Sequence, residues 1–167
     1  MRSGWVTSDD IFVLTWRQSK PNYMKKLITA ALLAINFAAM GQESQVRQSI
    51  DTFFEGLHQK DTVKMQSVLA KSVVLHSVAE GKDGAKRSEE NIGQFFRSIS
   101  QVPKEITLHE KLLSFTIQID GSLAHAWTPY EFYVNGKLSH SGVNSFQLVK
   151  EASGWKIVYC IDTRRKP

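Results

Sequence analysis

The sequence predicts an α+β fold, three helices followed by a mainly antiparallel sheet, and three observations predict it. Apolar residues recur at helical spacing through residues 46–57 and again through 92–99. From Ile106 onward the chain becomes a series of strand-like runs. Those runs are parted by turn signals, "DG" at Asp120, "NG" at Asn135 and "EASG" at Glu151. Helices in one half and strands in the other is the pattern of an α+β domain.

Taken in order, "SQVRQSIDTFFEGLHQKD" puts Val46, Ile50, Phe53, Phe54 and Leu57 on one helical face. Asp61 has the side chain to cap a second, short helix bearing Val63, Met65, Val68 and Leu69. "SVVLHSV" is β-branched and short, as a strand requires, and "EGKDGAKR" is a polar excursion with two glycines. Ser88 is placed to cap a third helix whose stripe is Ile92, Phe95, Phe96 and Ile99. Pro103 ends that region, and four strands follow.

Asn135 and Gly136 suit a two-residue type I′ turn, because both central positions need positive φ. An unbroken ladder from that turn sets Glu131 opposite His140 and Trp127 opposite Asn144. One face then gathers His125, Trp127, Glu131, Tyr133, His140, Asn144, Phe146 and Leu148, with Trp155 and Tyr159 from the last strand. The other gathers Ala124, Ala126, Thr128, Tyr130, Phe132 and Ser141, with Cys160 and Asp162. The bulkier face is expected under the helices. Burial of Leu113, Phe115 and Ile117 on that same face favours a three-residue loop, residues 120–122, in the preceding hairpin.

At 167 residues the chain suits one domain. Its formal charge of +5 is concentrated at one end: residues 1–41 hold five basic and two acidic side chains, leaving +2 for residues 42–167. No basic stripe interleaved with aromatics is present, so nucleic acid is not an expected partner. Cys160 is the only cysteine, which excludes an internal disulfide. The histidines lack zinc spacing, and no dinucleotide fingerprint, phosphate loop or nucleophile elbow occurs, so neither metal nor cofactor is expected.

"MKKLITAALLAINFAAMGQES" from Met24 reads as an export signal. Lys25 and Lys26 form the positive start, residues 27–37 the apolar run, and Ala39 and Gly41 the small residues before a cleavage after Gly41. A membrane span needs about 20 apolar residues, more than this run holds. Residues 1–23 are then a mis-assigned extension upstream of the true start, or a poorly ordered tail. The expected organisation is 1–23 extension, 24–41 signal and 42–167 the working domain, exported to the periplasm or medium without stable membrane insertion.

The order helix, helix, strand, helix, long sheet resembles the nuclear transport factor 2-like (cystatin-like) superfamily. "SHSGVNSFQLVKEASGWKIVYCIDTRR" and "VRQSIDTFFEGLHQKD" are similar to its SnoaL-like (polyketide-cyclase-like) and lumazine-binding branches. The resemblance covers about residues 44–165 and implies a cone: a curved sheet wrapped around the helices, a deep pocket at the wide end, and dimerisation through the outer sheet face. The steroid isomerases of that superfamily use a tyrosine on the first helix, where this chain has Phe53 and Phe54.

Glu131 beside His140 would orient an imidazole as a general base and raise its pKa. Trp127 and Asn144 would add a stacking wall and an orienting amide, Tyr159 a hydroxyl, His76 a further polar group and Phe54 an apolar wall. A mostly apolar pocket with a few converging polar groups is the usual small-molecule site. As a plain cross-strand pair, Glu131 and His140 would contribute only ~0.2–1 kcal/mol. Three readings follow: an exported protein binding a small organic ligand; a cofactor-independent isomerase, cyclase, dehydratase or hydrolase with His140 as base; or an interaction module, a homodimer through the outer face. His109 and Glu110, where "LHEKLL" flips its apolar parity, are expected at a bulge.

Overall fold

The computed structural model describes the backbone of residues 8–82 and 84–167, and the side chains of residues 23–30, 40–82 and 84–167. Two units are distinguished, Met1–Gly41 and Gln42–Pro167. In the first, the described backbone is helical from Ser8. The side chains of residues 23–30 are exposed there, Tyr23, Met24, Leu27 and Ile28 among them. Residues 1–7, and the side chains of 31–39 in the apolar run, lie outside the described residues. Among the described residues no helix is long and apolar enough to cross a membrane.

The second unit takes up the helix α1 (Ser8–Gln59) at Gln42 and continues through α2 (Thr62–Ser67), β1 (Leu69–Gly81), β2 (Gly84–Glu90) and α3 (Ile92–Ser100). The strands β3 (Leu108–Leu112), β4 (Thr116–Asp120), β5 (Leu123–Val134), β6 (Lys137–Glu151) and β7 (Gly154–Arg164) complete it. They form one open, curved sheet of order β2-β1-β7-β6-β5-β3, with β4 also on β5. The pair β1 and β7 is parallel and the remaining pairs are antiparallel, so the sheet is mixed.

The helical stripe of α1 is buried as its spacing predicts: Val46, Ile50, Phe53, Phe54 and Leu57 all belong to the core, with Met65 and Ile99 from the shorter helices. Asp61 caps α2 by accepting from the Lys64 N–H at 2.9 Å. The cap of α3 is Asn91 rather than Ser88, and it accepts from the Gln94 N–H. Residues 84–90, expected as the end of a polar excursion and the capped start of the third helix, pair instead with β1 as an antiparallel hairpin, which carries Ser88 into a strand.

The sheet departs from its sequence reading at four places. The stretch from Ile106 is five strands rather than four, because residues 113–115 separate β3 from β4. The Asp120 hairpin closes with two loop residues, Asp120 pairing with Leu123. The third departure matters most. Asn135 (φ 50) and Gly136 (φ 73) form the expected two-residue turn, with Val134 opposite Lys137. The ladder then jumps from Tyr133–Leu138 to Phe132–His140, leaving Ser139 as a bulge. Beyond it Glu131 faces Ser141, and Trp127 faces Ser145. A second bulge at Val158 shifts β7 against β6 between Leu148–Ile157 and Gln147–Tyr159.

Each bulge inverts every side chain beyond it relative to an unbroken ladder. The face under the helices therefore carries Ala124, Ala126, Thr128 and Tyr130 from β5, with Asn144, Phe146 and Leu148 from β6, all buried. The small side chains of Ala124 and Ala126 leave room for the aromatic stripe of α1 on a twisted sheet. Trp127 lies on the other face and is 46% exposed.

Candidate functional site

Between the helices and the inner face of the sheet lies a cavity of about 210 Å³. Its apolar walls come from α1 (Phe53, Phe54, Leu57), α3 (Phe95, Ile99) and the sheet (Phe132, Phe146). The aromatic walls interlock: Phe54 meets both Phe53 and Phe146 edge-on, at ring separations of 5.3 and 6.1 Å. The polar groups sit on the sheet side and converge from five strands: Ser77 on β1, Glu110 on β3, Tyr130 on β5, His140 and Asn144 on β6, Asp162 and Arg164 on β7.

Two carboxyl groups organise this polar wall differently. Asp162 is buried and well supplied with donors. Its Oδ2 accepts from the Tyr130 hydroxyl at 3.0 Å and the Arg164 Nε at 2.8 Å, and its Oδ1 from the Ser77 hydroxyl. Burial, with the Asp162 charge alongside, raises the pKa of the Tyr130 phenol, so it stays a neutral donor.

Glu110 accepts a single side-chain bond, from the Asn144 Nδ2 at 2.8 Å. Burial pushes its carboxyl from the ordinary 4.5 up to about 8; the Asn144 bond acts in the opposite direction and is outweighed, and the nearby Asp162 charge adds to the rise. At neutral pH Glu110 is thus a neutral acid with a proton to donate.

His140 stacks on Phe132 at a ring separation of 5.0 Å and meets Tyr130 edge-on at 5.8 Å. Burial and the positive Arg164 lower its pKa below 6.5, so its imidazole is neutral at pH 7. This reverses the direction expected from a Glu131 partner. The Cys160 thiol borders the cavity, and burial raises its pKa well above the ordinary value, which suits an inert thiol.

Of the side chains singled out in the sequence, His140, Asn144 and Phe54 line this cavity together. Glu131 does not. It sits on the outer face, accepting from the Tyr133 hydroxyl at 2.7 Å and lying 3.7 Å from the Lys111 ammonium. The Ser139 bulge separates it from His140. Trp127 stands on the same outer face. Tyr159 is turned away by the Val158 bulge and shares a 3.0 Å hydrogen bond with His76 Nδ1. His76 borders the cavity, but its Nε2 lies 2.9 Å from Arg87 and 3.5 Å from Glu89. Among the described residues no group of three or more His, Cys, Asp or Glu side chains is arranged to hold a metal ion.

Glu110, Asp162, Tyr130 and Arg164 were not picked out by the sequence reading. One signal for Glu110 was present: in "LHEKL" it alternates with Leu108 and Leu112, so strict period-2 reading places a carboxyl on the apolar face. Asp162 carried no comparable signal, since a bulge decides its direction.

No family profile and no curated protein matches the sequence. Solved structures do match in three dimensions. A nuclear transport factor 2-like protein with a cystatin-like fold from Novosphingobium aromaticivorans superposes with a TM-score of 0.60 at 13% identity, over 79% of this chain and 87% of its own. A nuclear transport factor 2-like protein of unknown function from Shewanella baltica gives 0.55 at 16% identity, over 77% and 97%. A candidate dehydratase of the nuclear transport factor 2-like family from Streptomyces avermitilis gives 0.58 at 16% identity, over 78% and 99%. The fold is nuclear transport factor 2-like. At these identities the likeness extends to the fold alone. In this nuclear transport factor 2-like unit the cavity is walled by α1 and α3, and its polar wall is supplied by the sheet.

Proposed function

We propose that the protein is an exported member of the nuclear transport factor 2-like superfamily, in its SnoaL-like branch, that binds a small, partly apolar organic molecule bearing a carbonyl or hydroxyl group. The observation that carries this reading is the pairing of aromatic walls from α1 and α3 with Glu110, Asn144 and His140 on the facing sheet. The walls take the apolar body of a ligand, and neutral Glu110 and His140 offer hydrogen bonds to its polar end at no cost in buried charge. Export is supported by the signal-like residues from Met24 and by the exposed Leu27 and Ile28. Native mass spectrometry of protein recovered from its own host tests both points. A retained organic mass, lost in Glu110→Gln, and a mature chain starting after Gly41 are expected. A ligand-free pocket, or a chain retaining Met1, would overturn the respective part.

A second reading, cofactor-independent dehydration or isomerisation, is favoured by the raised Glu110 carboxyl. A protonated acid near pH 7 can protonate a leaving hydroxyl or a developing enolate, while neutral His140 removes a proton from carbon. In this reading His140 is the base without Glu131 to orient it, and Glu110 takes the acid role. The exposed Trp127 supports a homodimer joined through the outer sheet face.

A further inference from the structure

Strand β3 is an edge strand, and its pairing with β5 leaves one side open. The flanking main-chain bonds, Leu113 N–H to the Pro129 carbonyl and Asn135 N–H to the Thr107 carbonyl, show that odd-numbered residues point their backbone groups at β5. Glu110 therefore directs its N–H and carbonyl outward, where a further strand would pair. No strand is there. His58, in the last turn of α1, takes that position: its Nε2 accepts from the Glu110 N–H at 2.9 Å and lies 3.1 Å from the Glu110 carbonyl oxygen. The His109 ring, 4.5 Å away, packs against the same imidazole.

We propose that His58 is a positioning residue: its Nε2 replaces the missing neighbour strand at Glu110, ties β3 to α1, and so fixes the carboxyl in the cavity. The inference rests on the reading of Glu110 as the working carboxyl of the pocket. A single sp² nitrogen can accept from the Glu110 N–H only while it carries no proton. Protonated, it could donate to the carbonyl instead, leaving the N–H without its acceptor. The groups facing His58 are His109 and Glu110 from β3 and Glu55 from its own helix. Burial and the neighbouring His109 lower its pKa below 6.5, outweighing the Glu110 carbonyl and the Glu55 charge, which both favour the protonated ring, and keeping the accepting form at neutral pH. Acidification should then release half of the clamp, with a midpoint below 6.5.

Amide exchange at Glu110 and NMR titration of its carboxyl, measured on the full chain, test this without any ligand. His58→Ala should cut the Glu110 protection factor by about tenfold or more and move the carboxyl down toward its ordinary value as water enters. His58→Gln carries both an acceptor and a donor and does not titrate, so it should restore protection and keep it in acid. Unchanged protection in His58→Ala overturns the inference. So does lost protection with an unchanged Glu110 titration, which would mark a merely structural contact. If His58→Ala does not fold, wild type against His58→Gln between about pH 5 and 7 decides. Acid loss of protection in wild type alone supports the clamp, and equal behaviour overturns it. Ligand loss in Glu110→Gln tests the pocket reading separately, so failure of one is distinguishable from failure of the other.

Discussion

Asn144 donates from its Nδ2 to the Oε1 of Glu110 at 2.8 Å, joining β6 to the edge strand β3 across the inner face of the sheet. The bond leaves the other carboxyl oxygen to carry the proton toward the cavity. It also opposes the effect of burial, because a donor favours the ionised form.

Asn144→Leu should therefore raise the Glu110 carboxyl above about 8, a shift that carboxyl NMR would detect. Loss of a buried hydrogen bond that leaves its acceptor unpaired should cost about 1–3 kcal/mol in denaturant unfolding.

Glu110 gives stability a definite pH dependence. Its folded pKa, about 8, lies above the ordinary 4.5, so the native state holds a proton that the unfolded chain has lost. The contribution is fully present below 4.5 and is lost as pH rises through about 8. Between those values the unfolding constant should rise by up to roughly tenfold per pH unit from this group. Glu110→Gln should flatten that slope, as equilibrium unfolding across the range would show.

Tyr130→Phe removes the hydroxyl bond to Asp162 while leaving Arg164 and Ser77 in place. A loss of about 1–3 kcal/mol is expected, the scale for a hydrogen bond to a buried charged group. The Arg164 side chain should also gain mobility, readable by NMR relaxation.

At Gly142 a Cβ would stand 1.7 Å from the Thr163 carbonyl oxygen and 2.9 Å from the Tyr130 ring. Backbone cannot give way as a side-chain tip can, so Gly142→Ala must displace β7 and with it Asp162. A cost of about 3 kcal/mol is expected, measured by thermal or denaturant unfolding.

His140→Ala should weaken ligand retention in native mass spectrometry and abolish turnover if the pocket supports it. Glu131→Ala should leave both unchanged. The Lys111–Glu131 pair is a surface contact worth about 1 kcal/mol or less.

Much of the architecture is legible in the residue order. The stripe from Val46 to Leu57, the Asp61 cap, and the positive-φ pair Asn135 and Gly136 are local signals with local causes, and the structure carries each. The candidate site was legible only in part. His140 and Asn144 reach the cavity because they lie on one strand at even spacing, so their relation to each other survives any shift of register. Glu131 and Tyr159 were assigned across strands, and a cross-strand assignment fails at the first bulge. Glu110 carried a sequence signal in its alternation with Leu108 and Leu112, but a carboxyl on an apolar face invites a bulge as its explanation.

The sequence by itself determined the helical faces, the turn at Asn135 and Gly136, and the succession of a helical half and a strand half. Only the tertiary structure decided which face of β5 is the inside. Strand side chains alternate with period 2, so one extra residue at Ser139 or Val158 reverses every direction beyond it. Where those residues fall depends on how a twisted sheet bends to admit α1 over Ala124 and Ala126. That is a property of the packed molecule, and it sent Glu131 to the surface and brought Asp162 to the pocket.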